Sequence, residues 1–298
     1  MSKKITFLLA FIFTISTVSM LSAQDYKFGI RAGLNSSQFL GTLISDEKQK
    51  DAFSMNNGIH FGVTFAYYFS DNFGLRTEVG YNQIGTNYKY EADDAEYVFR
   101  NLFEREPRQG KIIRTLDINN SYIHVPIMVF AKPFKKLEVF GGVYTQFLVL
   151  PTAGGTIDFT ALNPEDQKYS FEQGIEANYY SDEARQGKGS QTLEVDLIID
   201  GEVEDIIMPR LVGGYYELDE NEKAGSTYNW FDFGVEGGVS YFFNNSLYLG
   251  LTGMFGLSDV TNNALDVDYY RVDENSRYVY RSDFDRNLSI QLSLGFKF

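Results

Sequence analysis

The chain has 298 residues, 44% of them hydrophobic and 16% aromatic, with a formal net charge of −14 at pH 7 and no cysteine. The missing thiols exclude disulfides, thiolate zinc sites and cysteine nucleophiles, and the acidic balance excludes nucleic acid and anionic membrane surfaces as natural partners. The apolar content argues against wholesale disorder, and the 26 Phe, 21 Tyr and 27 Gly suit many short strands rather than helices.

At the start of the chain, Lys3 and Lys4 precede an apolar run from Ile5 to Leu21, followed by the small residue Ala23. That order is expected of a signal peptide, residues 1–23, cut after Ala23. Its removal would leave 24 basic residues against 40 acidic. No later stretch is long and apolar enough for a spanning helix, but a membrane barrel needs none, because its strands are only half apolar.

Alternation with a period of two then recurs along the chain. "YKFGIRAGLN" sets Phe28, Ile30 and Ala32 against Lys27, Arg31 and Asn35. "GIHFGVTFAYYF" sets Ile59, Phe61, Val63, Phe65, Tyr67 and Phe69 against His60, Gly62, Thr64, Ala66 and Tyr68. "FGLRTEVGYNQIG" places Leu75, Val79 and Tyr81 opposite Arg76, Glu78 and Asn82. In "YIHVPIMVFAK", Ile123, Val125, Ile127 and Val129 face away from His124, Pro126, Met128 and Phe130. "LEVFGGVYTQFLVL" separates Val139, Val143 and Phe147 from Glu138, Tyr144 and Gln146. "WFDFGVEGGVSYFF" separates Phe233, Val235, Val239 and Tyr241 from Asp232, Glu236 and Ser240. "LYLGLTGMFGL" sets Leu247, Leu249, Leu251 and Phe255 against Tyr248, Thr252 and Met254. "NLSIQLSLGFKF" closes the chain, with Leu288, Ile290, Leu292, Leu294, Phe296 and Phe298 on one face.

These are about eight strands, close to the ~10 residues a tilted strand needs to cross a bilayer. Short connections at 70–72, 132–136 and 244–246 alternate with long ones at roughly 40–57, 91–117, 153–229 and 258–286. The expected fold is therefore all-β: an up-and-down antiparallel transmembrane barrel over residues 24–298, with an extracellular insertion at 153–229. Ten strands are the alternative, because "TLEVDLIIDGEVEDIIM" alternates on both sides of Asp200-Gly201, a hairpin signal. The charged flank Glu202, Glu204 and Asp205 favours an extension above the membrane instead.

The stretches "YKFGIRAGLNSSQF", "GIHFGVTFAYYFSDNFGLRTEVGYNQIG", "YIHVPIMVFAKPF", "DFGVEGGVSYFF" and "LSLGFKF" resemble the outer-membrane β-barrel domain of PorT-like or "porin family" proteins of Bacteroidota. The resemblance implies an outer-membrane location. It also implies that the C-terminal aromatics Phe296 and Phe298 are the signal read by the barrel-assembly machinery. The founding member is tied to a secretion system. Where that family usually carries a carboxylate ahead of its (I/V)-P pair, this chain has His124.

The inward phase carries Arg31, Arg76 and Lys297 against Glu78, Glu138, Asp232 and Glu236, with His60 and His124. Eight strands leave an interior that side chains fill, so these residues are expected to pair into a plug. No catalytic, cofactor or metal residue is expected. Ser121 and His124 sit at an odd spacing that puts them on opposite faces. The segment 153–228 holds 17 acidic and five basic residues, which suits cation-bridged contact with lipopolysaccharide or docking of an envelope or extracellular protein partner. The expected function is a non-enzymatic scaffold, adhesion or envelope-assembly role through the extracellular loops. The alternatives are a small-solute channel and, third, a lipid-modifying enzyme.

Overall fold

The computed structural model describes residues 26–100, 105–162, 170–178, 192–199, 202–209, 211–212, 227–264 and 266–298. The expected signal peptide and the Asp200-Gly201 turn lie outside them. Strands β1 (Tyr26–Leu40), β2 (Gln49–Ser70), β3 (Phe73–Arg100), β4 (Arg105–Phe134) and β5 (Leu137–Ala161) lead into β6 (Phe171–Asn178), β7 (Thr192–Ile199), β8 (Glu202–Pro209) and β9 (Leu211–Val212). The chain then runs through β10 (Phe231–Phe242), β11 (Leu247–Gly256), β12 (Val267–Val272), β13 (Tyr278–Tyr280) and β14 (Arg286–Lys297).

Eight strands form an antiparallel ring in the order β10-β11-β14-β1-β2-β3-β4-β5, closed by pairing of β5 with β10. The expected alternation sets the two faces. Phe28, Ile30, Leu34, Ile59, Phe61, Val63, Val79, Ile127, Val143, Leu251 and Leu292 are exposed outward, while the intervening residues are buried inward. A closed ring leaves no unpaired edge, which hydrocarbon requires. On β4 the outward series runs Val129, Ile127, Val125, Ile123 and then turns polar at Ser121, Asn119 and Asp117, which marks the upper edge of the lipid band.

The strands do not stop at that edge. β3 and β4 run through most of the expected 91–117 loop, paired almost continuously from Phe73↔Ala131 to Arg100↔Arg105. Residues 105–120 of β4 alone carry the ladder roughly 50 Å further, at about 3.3 Å per residue. The charges Lys89, Glu91, Asp93 and Asp94 give this stretch the composition of a loop. Its alternate residues Tyr90, Ala92, Ala95 and Phe99 nevertheless bury in an apolar cluster with Ile112 and Phe159. The register shift between Ala92 and Ala95 restores the inward phase.

The other edge of β5 changes partner on the way up. Leu137 to Phe147 pair with β10, and Thr152 to Phe159 pair with β6, so the wall continues above the ring. β7 and β8 pair from Thr192↔Pro209 to Ile199↔Glu202 around the two-residue Asp200-Gly201 connection. They form a separate sheet rather than a ninth and tenth barrel strand. The reason is chemical: Glu194, Asp196 and Asp205 all face outward, and no lipid-facing strand tolerates that row. The hairpin instead buries Val195, Ile206 and Met208 on the Tyr90–Phe159 cluster.

Phe159 is 1% exposed and stacks on Phe171 at 5.5 Å. Phe159→Ala is expected to cost about 3–5 kcal/mol locally. Limited proteolysis should then cut within residues 105–178, while the heat-modifiable gel shift of the barrel stays unchanged.

Candidate functional site

The interior is the richest array of polar chemistry in the described residues. At the short-turn end Arg76 lies between carboxylate and aromatic: its Nη1 donates to Glu138 Oε1 at 3.0 Å and its guanidinium stacks 4.0 Å above the Phe140 ring. Lys297 Nζ donates to the other oxygen of Glu138 at 2.7 Å and lies over the rings of Phe242 and Tyr248. One carboxylate, 0% exposed, is therefore shared between two buried cations, and aromatic faces take up the rest of their surroundings. Charge-assisted bonds in a water-poor site are the arrangement under which buried charges are tolerated.

One level up, Arg31 Nε pairs with Glu78 Oε2 at 2.5 Å, and His124 Nε2 meets Glu236 Oε2 at 3.0 Å. Asp232 has only neutral partners. Gln146 Nε2 and Asn287 Nδ2 donate to its Oδ2 at 2.6 and 2.9 Å, and Ser258 Oγ donates to Oδ1. Eight of the nine inward residues read from the sequence (Arg31, Arg76, Glu78, His124, Glu138, Asp232, Glu236, Lys297) make these contacts, and all nine, His60 included, are buried. The ring joins seven of them into three groups and leaves Asp232 to its amides. Glycine makes the room: a methyl at Gly62 would collide with the Glu78 carboxylate, and one at Gly295 with the Tyr248 ring.

A second constellation escaped sequence reasoning. Gly33 pairs with His60 on one side and with Ser293 on the other. Lacking a side chain, it lets the imidazole cross β1, so that His60 Nε2 meets Ser293 Oγ at 2.7 Å and Nδ1 meets Asn35 Oδ1 at 2.5 Å. Asn35 Nδ2 donates to Asn82 Oδ1 at 2.6 Å, which leaves its Oδ1 as acceptor. His60 Nδ1 then donates and Nε2 accepts from Ser293. Three strands supply these residues, so no local spacing announces them; only inward phase on β1, β2 and β14 does. Of the inward aromatics, phase had placed Phe130 and Tyr248, whereas Phe140 and Phe242 were not assigned to the interior from the sequence.

Ser121 and His124 do lie on opposite faces. Ser121 Oγ meets Tyr81 Oη at 2.6 Å on the lipid side, whereas His124 points into the ring. Phe298 is 69% exposed and Phe296 39%, their rings 5.3 Å apart on the outer face. Among the described residues no group of three or more His, Cys, Asp or Glu is arranged to hold a metal ion.

Residues 22–262 match the family of the outer membrane protein beta-barrel domain. The chain belongs to that family. It is an outer-membrane β-barrel protein, and the exposed apolar band meets lipid. No curated protein matches the sequence. Similar solved structures include Ail, the attachment invasion locus protein of Yersinia pestis, at 8% identity, covering 92% of this chain and 100% of that one with a TM-score of 0.35. OprG from Pseudomonas aeruginosa is 12% identical, covering 92% and 96% with a TM-score of 0.34. The outer membrane protease OmpT from Escherichia coli is 7% identical, covering 94% and 99% with a TM-score of 0.32.

Removing Glu138 strands both Arg76 and Lys297. Glu138→Ala is expected to destabilise the barrel by about 3–5 kcal/mol, read as a lowered denaturant midpoint in detergent. Restoring charge balance with Glu138→Ala combined with Lys297→Met should recover part of the loss.

Proposed function

We propose that this protein is a non-enzymatic scaffold of the outer membrane, a PorT-like barrel of Bacteroidota type that presents its extracellular extension for adhesion or for assembly of an envelope complex. The observation that carries this reading is the division of the molecule along β4. Its buried side chains run from Phe130 and Met128 through His124, Tyr122 and Asn120 to Ile118, Leu116 and Ile112. Among the described residues the membrane level holds ion pairs and aromatics and the level above holds mainly apolar packing, which favours a plugged interior over an aqueous path. The outward surface of the extension, with exposed Glu194 and Asp196 beside Val203 and Ile207, is the part that would meet a partner. Short turns of such barrels face the periplasm and long segments the outside, which puts this surface in the medium. Phe296 and Phe298 would serve insertion by the barrel-assembly machinery.

Against catalysis, Asn35, His60 and Ser293 are each 3% exposed or less. Their hydrogen bonds match a base poised on a nucleophile, but no substrate reaches a serine walled in by a filled ring. Here they serve to satisfy one another.

Three measurements test the reading. Planar bilayers should show no conductance, and a steady channel current would overturn the scaffold in favour of a pore. A fluorophosphonate probe should leave the protein unlabelled; labelling lost in Ser293→Ala would make it an enzyme. Crosslinking on intact cells should capture a specific partner with the full chain and lose it on removal of 163–226, a deletion that keeps all of β5. The gel shift would show that both forms fold, and capture unchanged by the deletion would shift the role to other loops.

A further inference from the structure

The segment 257–285, between β11 and β14, lies across the outer mouth of the barrel. Val260, fully buried, packs with Phe39, Leu116, Ile118 and Tyr228. Asn229 and Asn262 exchange backbone bonds across it, Asn229 N with Val260 O and Asn262 N with Thr227 O. Further out, Val272 N donates to Glu96 Oε2 at 2.9 Å and Tyr278 Oη accepts from Val98 N at 3.2 Å. The strap thus spans from β3 across the mouth to the foot of β14.

Its electrostatics do not balance. Arg281 is the tie: Nε donates to Asp266 at 2.8 Å, Nη1 donates to Asp51 of β2 at 3.0 Å, 230 residues away in sequence, and Nη2 lies 3.0 Å from Asp283 Oδ2 as an ion pair without a hydrogen bond. Asp259 accepts from Thr261, Asn263 and the Asp285 amide. Asp285 takes one hydrogen bond, from Thr261 Oγ1 at 3.2 Å, and its other oxygen abuts the Cα of Gly41 at the end of β1. The groups facing Asp283 and Asp285 are therefore Asp51 and, through Asp51, Tyr88 from the barrel wall; Arg114 from β4, which lines the same small cavity; Thr227 and Tyr228; and Asp259, Asp266 and Arg281 from the strap. Five carboxylates meet two guanidinium groups. The Asp283 side chain and Asp285 are more than nine-tenths buried, and both carboxylate oxygens of Asp283 and one of Asp285 have no hydrogen-bond partner.

We propose that the strap is a proton-locked latch. It is held down over the mouth while Asp283 and Asp285 are neutral acids, and it loosens when both ionise. A neutral carboxyl needs no cation in a buried site, and it gains a donor that its crowded neighbours can accept. Ionised, the two would share the single Arg281 with Asp51 and Asp266, and in that poorly hydrated space they repel Asp259 and Asp266. Burial, then the neighbouring Asp285 and Asp266, pushes the Asp283 carboxyl up to about 7; burial above all raises Asp285 to about 6. A carboxyl raised in the closed form leaves that form fully stable below the ordinary carboxylate value and costs it stability as pH climbs from there through the raised value. The closed strap is accordingly most stable in acidic medium and loses stability as pH rises from the ordinary value of 3.8 through 6 to 7. The latch regulates access to the outer mouth and to the neighbouring extension, whatever those surfaces bind.

The absence of cysteine permits a direct test. Spin labels on Gln109→Cys of the outer β4 and on Glu274→Cys of the strap, both exposed positions, report their separation by pulsed electron resonance in detergent with a chelator present. At pH 5 the distance distribution should be narrow, and at pH 8 broadened and shifted. Asp283→Asn with Asp285→Asn should hold it narrow at both. A native distribution unchanged between pH 5 and pH 8 overturns the latch, as does a pH response that survives in the Asn pair. The gel shift checks folding, and Asp283→Asn alone serves if the pair does not fold; the native comparison decides in either case.

Discussion

Hydrocarbon supplies no hydrogen bonds, and the rest of this structure follows from that constraint. Every backbone N–H and C=O at membrane depth must find a strand neighbour, so the sheet has to close, β5 on β10 and β14 on β1. Closure fixes the side chains in turn. One phase of each strand meets lipid and is free to be Phe, Ile, Val or Leu. The other phase enters a space too narrow for bulk water, where each charge must meet an opposite charge, an amide or an aromatic face. Glu138 between Arg76 and Lys297 shows how tightly that condition is met.

Above the lipid edge the same ladder continues under different rules. Water now satisfies the outer face, so Asn119 and Asp117 replace Ile123 and Val125 in the outward row. The inward row turns mostly apolar, with Leu116, Ile118, Ile112 and Phe159 in its core, and its remaining charges, Arg114 and Asp51, gather under the strap. One pair of strands thus serves as a membrane wall in its lower part and as a domain framework in its upper part. β6 takes over the edge of β5 where β10 ends, and the β7–β8 hairpin covers the core that would otherwise be open.

The ring was legible because alternation and the contrast of short and long connections are local properties. The eight inward charges were legible for the same reason: phase alone assigns Arg31 or Glu236 to the interior. Partnership was not. Arg31 finds Glu78 and His60 finds Ser293 through register between strands far apart in sequence, and no single stretch encodes it. The upper strands were hidden by composition, since "KYEADDAEY" reads as a loop until Tyr90, Ala92 and Ala95 are seen to share a core with residues 60 or more positions away. Arg281 was equally silent, one more arginine in a polar tyrosine-rich loop, until the fold carried it to Asp51.

The long β3–β4 ladder also decides how this molecule bears load. A force applied to the extension and resisted by the bilayer runs along the strand axes, in the plane of the sheet. It is shared at once by the many antiparallel rungs between Phe73↔Ala131 and Arg100↔Arg105, as in a lap joint, instead of parting them one after another as in a zip. Any load on the extension is thereby coupled to the membrane anchor through the stiffest direction a polypeptide sheet possesses.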